Sequence, residues 1–475
     1  MTLVPFTPRA TEPDGATLTI LGNLEAVRAS WIMGDLGLLV CEQYYMGTQP
    51  LQYMSKDLEK DLGETVTQLV INWPQMVADA YAERHVCTGF RYPASDAGAA
   101  VSGDELWQWW QANNMDEQAN MAQVDAISLS KSALLVGPAV GSGAPTITAE
   151  SAFDVAWIRD PRSGVVIRGL KAWAEFLDDR TSIQWRNIYL PGRRITLRTA
   201  PGGGGWYVDQ DVKSTELVPL VPLVNRPRLK QRDGRTEFAP IIPVANAANK
   251  MATDMMVSGE FHAMPRRWVF GLKASDFKNP DGTTRNTWSV IKGRLWATEK
   301  KPSDVAVGQF TESSLTNFHD TIKLLARLTA QLSGMPSDYM SFDSVNPPSA
   351  DALRASERRM VKKCEDQQVS FGGSYETAMR HAIRFATGKY DNAAMMLETN
   401  WRDPGTPTTA QVTDAAVKKV TTKGADGRPL VPTEQGRIDL GYTPQQRDDM
   451  VQMEARAMNL DPDQVALMAL LDGTK

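Results

Sequence analysis

Residues 314–348, with the sequence SLTNFHDTIKLLARLTAQLSGMPSDYMSFDSVNPP, are the most informative part of the chain. The apolar residues of its first part recur at alternating three- and four-residue spacing: Leu315, Phe318, Ile322, Leu325 and Leu332, with Leu324 and Leu328 widening the stripe. This spacing predicts an amphipathic helix over about 314–333. Ser313 or Ser314 can cap its start, and Gly334 with Pro336 ends it. The remaining residues, to Pro348, show no periodicity, and long loops of this kind are usually functional.

Long helices are also predicted on both sides of this stretch. Pro243 opens the first, which is rich in alanine and methionine and stops at Met264-Pro265. The second covers about 350–385 and carries Gly372 and Gly373 in its middle. Two glycines cost about 1 kcal/mol each relative to alanine in a helix interior, so we expect a kink or break there.

Between the first two helices lies a basic, strand-rich insert, residues 265–312. It holds nine Lys/Arg and five Asp/Glu, although the whole chain carries a formal charge of −5. Trp268-Val-Phe270, Trp288-Ser-Val-Ile291 and Leu295-Trp296 are predicted strands, with a turn at Asn279-Pro-Asp-Gly282. The positive charge is therefore concentrated in one segment.

The first half of the chain predicts an α+β fold. Helical spacing of Leu62, Val66, Leu69 and Val70 ends at Asn72-Trp73-Pro74, and a second helix is predicted to follow. Residues 104–130 are again helical, with a tryptophan cluster that we interpret as core rather than as a base-stacking surface. From Leu134 to about Pro222, short apolar runs separated by Gly, Pro, Asp and Asn indicate an antiparallel sheet. After Pro404 the pattern predicts a set of shorter helices.

The composition is that of a folded protein in solution. The chain is 42% hydrophobic and 23% charged, which excludes disordered and collagenous classes. No apolar run reaches the roughly 18 residues of a membrane span, and the start of the chain lacks the pattern of a signal peptide. Cys41, Cys87 and Cys364 form no CxxC pair, so we expect reduced thiols. The net negative charge disfavours a freely diffusing nucleic-acid binder.

The sequence shows no catalytic centre. Its four histidines are isolated, and neither HExxH nor GxSxG occurs. Gly202–Gly205 lacks the Lys-Ser/Thr of a phosphate-binding loop and leads into Trp206, so we interpret it as the tip of a hairpin. We therefore expect no enzymatic activity, no cofactor and no metal.

A set of short motifs is spread along the chain in order: Tyr44-Tyr45-Met-Gly47 with Pro50-Leu51, Asn72-Trp73-Pro74, Glu83-Arg84, Gly89-Phe90-Arg91, Leu106-Trp107-Gln-Trp109-Trp110-Gln-Ala-Asn113, Pro222-Leu-Val-Asn225-Arg226-Pro227, Gly234-Arg-Thr-Glu237 and Ser349-Ala-Asp351-Ala-Leu353-Arg354-Ala-Ser-Glu357. None is a catalytic signature. By the order and spacing of these motifs, the sequence resembles the portal proteins of long-tailed (siphovirus-type) bacteriophages.

The resemblance implies a division of the chain into portal segments. These are an N-terminal wing (1–242), a first stem helix (243–263), a clip (264–312), a second stem helix (313–333), a tunnel loop (334–349), a kinked wing helix with its return (350–403) and a helical crown (404–475). The apolar stripes of the stem helices fit contacts between neighbouring subunits, but a helix pair within one chain explains them equally well.

The resemblance also implies a set of site residues. Channel-facing candidates for transient contact with DNA are Met335, Tyr339, Phe342 and Asn346 of the tunnel loop, with Lys323 and Arg327 one turn apart on the second stem helix. A solvated or salt-bridging face explains Lys323 and Arg327 as well. Candidates for docking at the clip are Arg266, Arg267, Trp268, Lys292 and Arg294, whose alternative role is to keep the insert soluble. The expected helix kink lies at Gly372 and Gly373.

Finally, the resemblance implies a location and partners. The chain is expected to form a ring of about twelve subunits at one capsid vertex of the virion, after assembly in the host cytoplasm. Expected partners are the major capsid protein, a scaffold protein as a further candidate, the terminase large subunit, a head–tail adaptor and double-stranded DNA bound without sequence specificity, but no membrane. The rival hypothesis is a nuclease or phosphoryl-transfer component of the packaging apparatus, which would need a P-loop or a carboxylate metal cluster.

Overall fold

A computed structural model describes residues 11–53, 69–93, 98–141, 143–178, 181–263, 267–270, 306–309, 315–340, 350–405, 409–424 and 427–460. The chain divides into two compact units. The first comprises residues 1–49, 72–243 and 327–475, and the second comprises 50–71 and 244–326. Helices and antiparallel sheets make up the described part, which confirms the α+β prediction.

The first unit begins with helices. They are α1 (Gly15–Met33), α2 (Leu38–Met46), α3 (Trp73–Ala82), α4 (Gly103–Ala112) and α5 (Met115–Leu129). The prediction that Asn72-Trp73-Pro74 ends a helix is wrong: Leu69 and Val70 are not helical, and α3 begins at Trp73. The Asn72 side chain accepts a hydrogen bond from the Gln75 N–H, and Pro74 lies in the first turn, where a missing N–H costs nothing. Leu62 and Val66 lie outside the described residues.

A five-stranded antiparallel sheet follows, in chain order β4-β5-β6-β7-β8. Its strands are β4 (Val155–Arg159), β5 (Val166–Phe176), β6 (Ser182–Leu190), β7 (Arg193–Thr199) and β8 (Trp206–Lys213). Leu170, Ile188 and Leu197 on one face form a buried cluster with Leu21 and Leu24 of α1. Gly202–Gly205 lies between β7 and β8, as predicted. Gly202, Gly203 and Gly204 there have positive φ, which suits a hairpin tip.

The other face of this sheet packs against a three-stranded antiparallel sheet, ordered β3-β2-β9. Its strands are β2 (Lys131–Gly137), β3 (Thr146–Ser151) and β9 (Leu220–Val224). Lys131 of β2 pairs with Val224 and Leu135 with Leu220. Strand β1 (Cys87–Arg91) pairs separately with β12 (Glu398–Trp401).

Helix α8 (Ala350–Thr387) runs through the first unit and completes its aromatic core. The Trp110 ring lies 5.2 Å from Tyr375 of α8, and Tyr375 lies 5.6 Å from Trp401. Trp107 and Trp110 are at most 2% exposed, so the interpretation of the tryptophans as core is confirmed. The helix is continuous through Gly372 and Gly373. The expected break is therefore wrong, and a bend without a break stays a prediction.

The remaining elements of the first unit are the short helices predicted after Pro404. They are α9 (Thr409–Thr421), α10 (Thr433–Asp439) and α11 (Pro444–Leu460). Helix α9 packs against α10, where Lys419 pairs with Asp439 at 2.7 Å.

The second unit takes in most of α6 (Ile242–Ala263), the antiparallel pair of β10 (Arg267–Phe270) and β11 (Ala306–Gln309), and the first part of α7 (Thr316–Ser333). The Ile71 N–H donates to Asn249 Oδ1 of α6 at 2.8 Å, which fastens the segment before α3 to this helix. Both helices and the Trp268–Phe270 strand were predicted. The other predicted strands and the turn of the insert lie outside the described residues.

Candidate functional site

The C-terminal end of α7 is capped by side chains from two other helices. Gly334 follows the helix with φ +83°, a backbone conformation that favours glycine. The Ser333 carbonyl accepts hydrogen bonds from the Tyr81 hydroxyl at 2.8 Å and from Lys363 Nζ. Arg359 donates to the Gln331 carbonyl at 2.9 Å. The last carbonyls of a helix have no partner within it, so these three groups hold the C-terminal turn of α7 in place.

Below this cap lies a buried carboxylate, Glu237, whose side chain is 0% exposed. It accepts from Lys363 Nζ at 2.7 Å and from Arg226 Nη1 at 3.0 Å. Burial lowers the pKa of Lys363, and the charge of Glu237 opposes that shift. A buried charge is tolerated when it is paired, so the ion pairs fix these three residues together. Lys363 thus joins Glu237 to the end of α7.

Amide side chains extend this network to His85, three residues after the end of α3. Gln367 donates to Asn225 Oδ1 at 2.7 Å, so its own Oε1 accepts from His85 Nε2 at 3.1 Å. His85 therefore carries a proton on Nε2. Burial lowers its pKa to about 4. The ring also lies 5.4 Å from Phe371 in an edge-on contact.

A second ion-pair cluster holds the residues that follow α7. Arg84 Nη2 lies 2.9 Å from Glu357 Oε1 and 2.8 Å from the Tyr339 hydroxyl, which itself lies 3.1 Å from Glu357. Arg84 also donates to the Pro404 carbonyl at 2.6 Å. Tyr339 belongs to the short 3₁₀ turn Ser337–Tyr339, so this cluster anchors the start of the loop. We call the two clusters together the α7–α8 junction; its residues are Tyr81, Arg84, His85, Asn225, Arg226, Glu237, Ser333, Tyr339, Glu357, Arg359, Lys363 and Gln367.

Some of the predicted channel residues can be located. Tyr339 is 44% exposed, whereas Met335 is 5% exposed and packs into the protein. Arg327 is exposed on α7, and Lys323 is half-buried and already takes part in an interaction. Phe342 and Asn346 lie outside the described residues. The DNA-contact roles of all six stay predictions.

Most of the predicted docking residues lie outside the part of the chain that the structure describes. Arg267 and Trp268 lie on β10, and Arg266, Lys292 and Arg294 lie outside the described residues. Within the described part, no cluster of three or more His, Cys, Asp or Glu could hold a metal ion. No helix in that part is long and apolar enough to cross a membrane.

The sequence did not identify the α7–α8 junction. Arg84, Glu237 and Glu357 each lie in a segment that carried the resemblance, but no spacing indicated that they meet. Glu237 and Lys363 are 126 positions apart, and Arg84 and Glu357 are 273 apart. Chemically, the junction offers paired charges and capped carbonyls, which fix a helix end.

Comparisons with known proteins agree on one family. The family model described as "Phage portal protein, SPP1 Gp6-like" matches residues 38–426. The portal protein of Mycobacterium phage L5 is 32% identical over 389 residues, which cover 80% of this chain and 77% of the relative. The portal protein of Mycobacterium phage D29 is 32% identical over 390 residues, covering 80% and 78%.

Solved structures give weaker similarities. A chain from the neck of a native gene transfer agent particle, computed with C12 symmetry, is 13% identical, with a TM-score of 0.42 over 89% of this chain and 99% of that chain. A chain from the neck of the empty particle, computed with C6 symmetry, is 12% identical, with a TM-score of 0.41 over 86% and 99%. These scores are too low to support an inference.

Proposed function

Because this chain belongs to the SPP1 Gp6-like family of phage portal proteins, we propose that about twelve copies close into a ring at one capsid vertex. The ring is the channel through which double-stranded DNA is packaged and later ejected. The same ring docks the terminase large subunit during packaging and the head–tail adaptor afterwards.

The observation that carries this proposal is a stripe of exposed leucines on α7. Leu324, Leu328 and Leu332 follow one another at four-residue spacing and are 55%, 38% and 42% exposed. Small residues of the same helix, Ala326 and Ala330, are buried instead. Four-residue spacing places the leucines on one side of the helix, and an exposed apolar face of this kind is typical of a protein contact. In a ring, the neighbouring copy covers it.

The portal segments are assigned on this basis. Residues 243–263 and 313–333 form the stem, 264–312 the clip, 334–349 the tunnel loop, 350–403 the wing helix and its return, 404–475 the crown and 1–242 the rest of the wing. Two long helices, α6 and α7, flanking the β10–β11 pair support the stem and clip assignments. The basic charge of 265–312 supports docking at the clip through residues such as Arg267 and Trp268.

DNA contact in the channel is weak and independent of sequence. Duplex must slide, so the lining needs scattered cations rather than groups that bind bases. Exposed Arg327 and partly exposed Tyr339 suit transient contact, and the junction fixes the position of Tyr339. The ring also contacts the major capsid protein, and a scaffold protein if assembly requires one, in the host cytoplasm.

The first experiment is to measure the native mass of the purified protein and to image it by negative stain. Twelve copies of a 52.4-kDa chain give a particle of roughly 600 kDa with a central hole. The double variant Leu324→Glu/Leu328→Glu should lose this particle while keeping its helix content, whereas Leu430→Glu, at an exposed leucine elsewhere, should keep it. A compact dimer without a hole contradicts the ring.

The proposal contains no enzymatic step. DNA-stimulated ATP hydrolysis, or magnesium-dependent DNA cleavage abolished by a carboxylate substitution, would instead favour the nuclease or phosphoryl-transfer alternative.

A further inference from the structure

The loop between β9 and α6 forms a short hairpin, residues 226–235, that we call the basic finger. Arg228 and Gln231 exchange both backbone hydrogen bonds, at 3.0 and 2.9 Å. This pairing places Leu229 and Lys230 at the tip. Leu229 is 94% exposed, the highest exposure of any large hydrophobic residue in the described part.

The base of the finger is rigid. Asn225 is 0% exposed, and its side chain donates to the Arg235 carbonyl at 2.9 Å, while the Arg235 N–H donates to the Asn225 carbonyl at 3.1 Å. Gly234 has φ +74°, and a Cβ there would lie 2.5 Å from the Asn225 carbonyl oxygen. Only glycine fits this position. Because these contacts already hold the base, little further conformational entropy is lost there when the finger docks.

The finger is also strongly cationic. Residues 226–235 hold five Lys/Arg and one Asp, and the rest of the chain therefore carries a formal charge of −9. Arg228, Lys230 and Arg232 are exposed, and none of these three makes an ion pair within the described part of the chain. The finger thus combines an apolar tip with unpaired cations.

A complementary surface exists on the same chain, where α1 meets α2. Met33, Leu36 and Leu39, which lie three residues apart in sequence, are 74%, 44% and 45% exposed. Asp35 is exposed beside them and Glu42 lies one turn further along α2. Neither carboxylate is ion-paired in the regions that the structure describes. We call these five residues the acidic patch.

We propose that the basic finger of one copy docks on the acidic patch of a second copy, with Leu229 against the apolar residues and the finger cations beside Asp35 and Glu42. This inference rests on the proposed ring, because a ring closes through two different surfaces that complement each other. Opposite charges then fix the register of the contact and disfavour wrong pairings.

The features of the finger favour a protein partner over DNA. A phosphate backbone offers no apolar surface to an exposed leucine, and a rigid cationic projection would hold duplex that has to slide. A second copy offers both an apolar patch and the excess negative charge.

The test is charge reversal with rescue. Lys230→Glu/Arg232→Glu and, separately, Asp35→Lys/Glu42→Lys should each lower the fraction of full-length protein in rings at least tenfold, measured by native mass spectrometry at equal concentration. Combining the four substitutions should restore most of it. Lys213→Glu/Lys389→Glu, the same charge change at two other exposed lysines, should leave the ring fraction unchanged. Oxidation of a Leu229→Cys/Leu36→Cys variant should give covalent multimers, whereas Leu229→Cys alone gives at most dimers.

The outcomes separate this inference from the ring proposal. If the wild-type protein forms rings and the Lys230→Glu/Arg232→Glu variant forms them equally well, the contact is wrong and the ring stands. If that variant keeps its rings but loses affinity for duplex DNA, the finger is a DNA contact and the inference is overturned. A wild-type protein that forms only compact dimers without a hole overturns both.

Discussion

Replacing Glu237 by glutamine tests whether the α7–α8 junction holds the end of α7. The substitution keeps the shape of the side chain and removes its charge. It leaves the Lys363 ammonium, whose side chain is 14% exposed, and the Arg226 guanidinium, 34% exposed, without their shared counter-ion. The carboxylate itself is inaccessible to water, so solvent cannot replace what the substitution removes.

The burial of the pair sets the magnitude. Removing one partner of a buried ion pair costs about 3–5 kcal/mol, because the other charge stays buried and unpaired. Arg226 is partly reached by water, and Lys363 can release its proton since burial already lowers its pKa. Both effects place the expected loss at the lower end, about 3 kcal/mol. Local opening of the junction should then become about a hundredfold more frequent.

The assay is hydrogen exchange measured by mass spectrometry on peptides covering 329–340 and 357–371. It reports local opening, so it does not require the whole chain to unfold in one step. Glu216→Gln is the matched control, because Glu216 makes a two-bond ion pair with Arg384 at 2.7 and 2.9 Å on the surface. Exchange in the control should stay close to wild type.

Two results would refute the reasoning. The first is a change below threefold in Glu237→Gln, and the second is an equal change in Glu216→Gln. Lys363→Met adds a further check, since the loss in the double variant should be smaller than the sum of the two single losses. Strict additivity would mean that the pair is not coupled.

Three further predictions concern neighbouring positions. Burial keeps the pKa of His85 at about 4, against 6.5 in the unfolded chain. The unfolded chain therefore takes up a proton first, and stability falls by up to about 3 kcal/mol as the pH drops from about 6.5 to about 4. His85→Gln should remove this part of the pH dependence in urea titrations, and an unchanged profile would exclude His85 as its source. Arg84→Gln should speed hydrogen exchange in residues 335–340 about tenfold, because it frees Tyr339 and Glu357. Arg91→Gln, at the exposed ion pair with Glu398, should leave that rate unchanged, and equal effects would mean that burial does not decide the outcome. Gly373→Ala should raise the thermal midpoint and add up to about 1 kcal/mol of stability, since the added methyl meets nothing within 4 Å. Gly372→Ala should not raise it, because its methyl would lie 3.2 Å from Trp401 Nε1, and the reverse order would contradict these contacts.

Local patterns predicted the long helices well. The helix predicted over 243–263 is Ile242–Ala263, and the one predicted over 350–385 is Ala350–Thr387. Apolar periodicity and end signals are contained within each segment, so no knowledge of the fold is needed to detect them.

The predictions that were wrong concern positions whose local structure is determined by contacts with distant parts of the chain. Asn72-Trp73-Pro74 can end one helix or begin another, and only the hydrogen bond from the Gln75 N–H to the Asn72 side chain shows which applies. At Gly372 the carbonyl accepts a bond from Thr399 Oγ1 at 3.3 Å, and Trp401 packs beside it. Such packing outweighs the low helix propensity of two glycines. The α7–α8 junction could not be predicted from the sequence, because its residues meet only after the chain has folded.

The cap on α7 also sets the direction in which the helix faces. Lys363 and Tyr81 both bind the Ser333 carbonyl, so α7 cannot turn about its axis without breaking these bonds. Each residue along a helix rotates the side chain by about 100°, so a shift of one position would swing Leu328 and Leu332 far from their present direction. If neighbouring copies meet at this leucine face, as proposed, its direction contributes to the angle between them. A few buried bonds at one helix end would thereby help to set the curvature of the whole assembly.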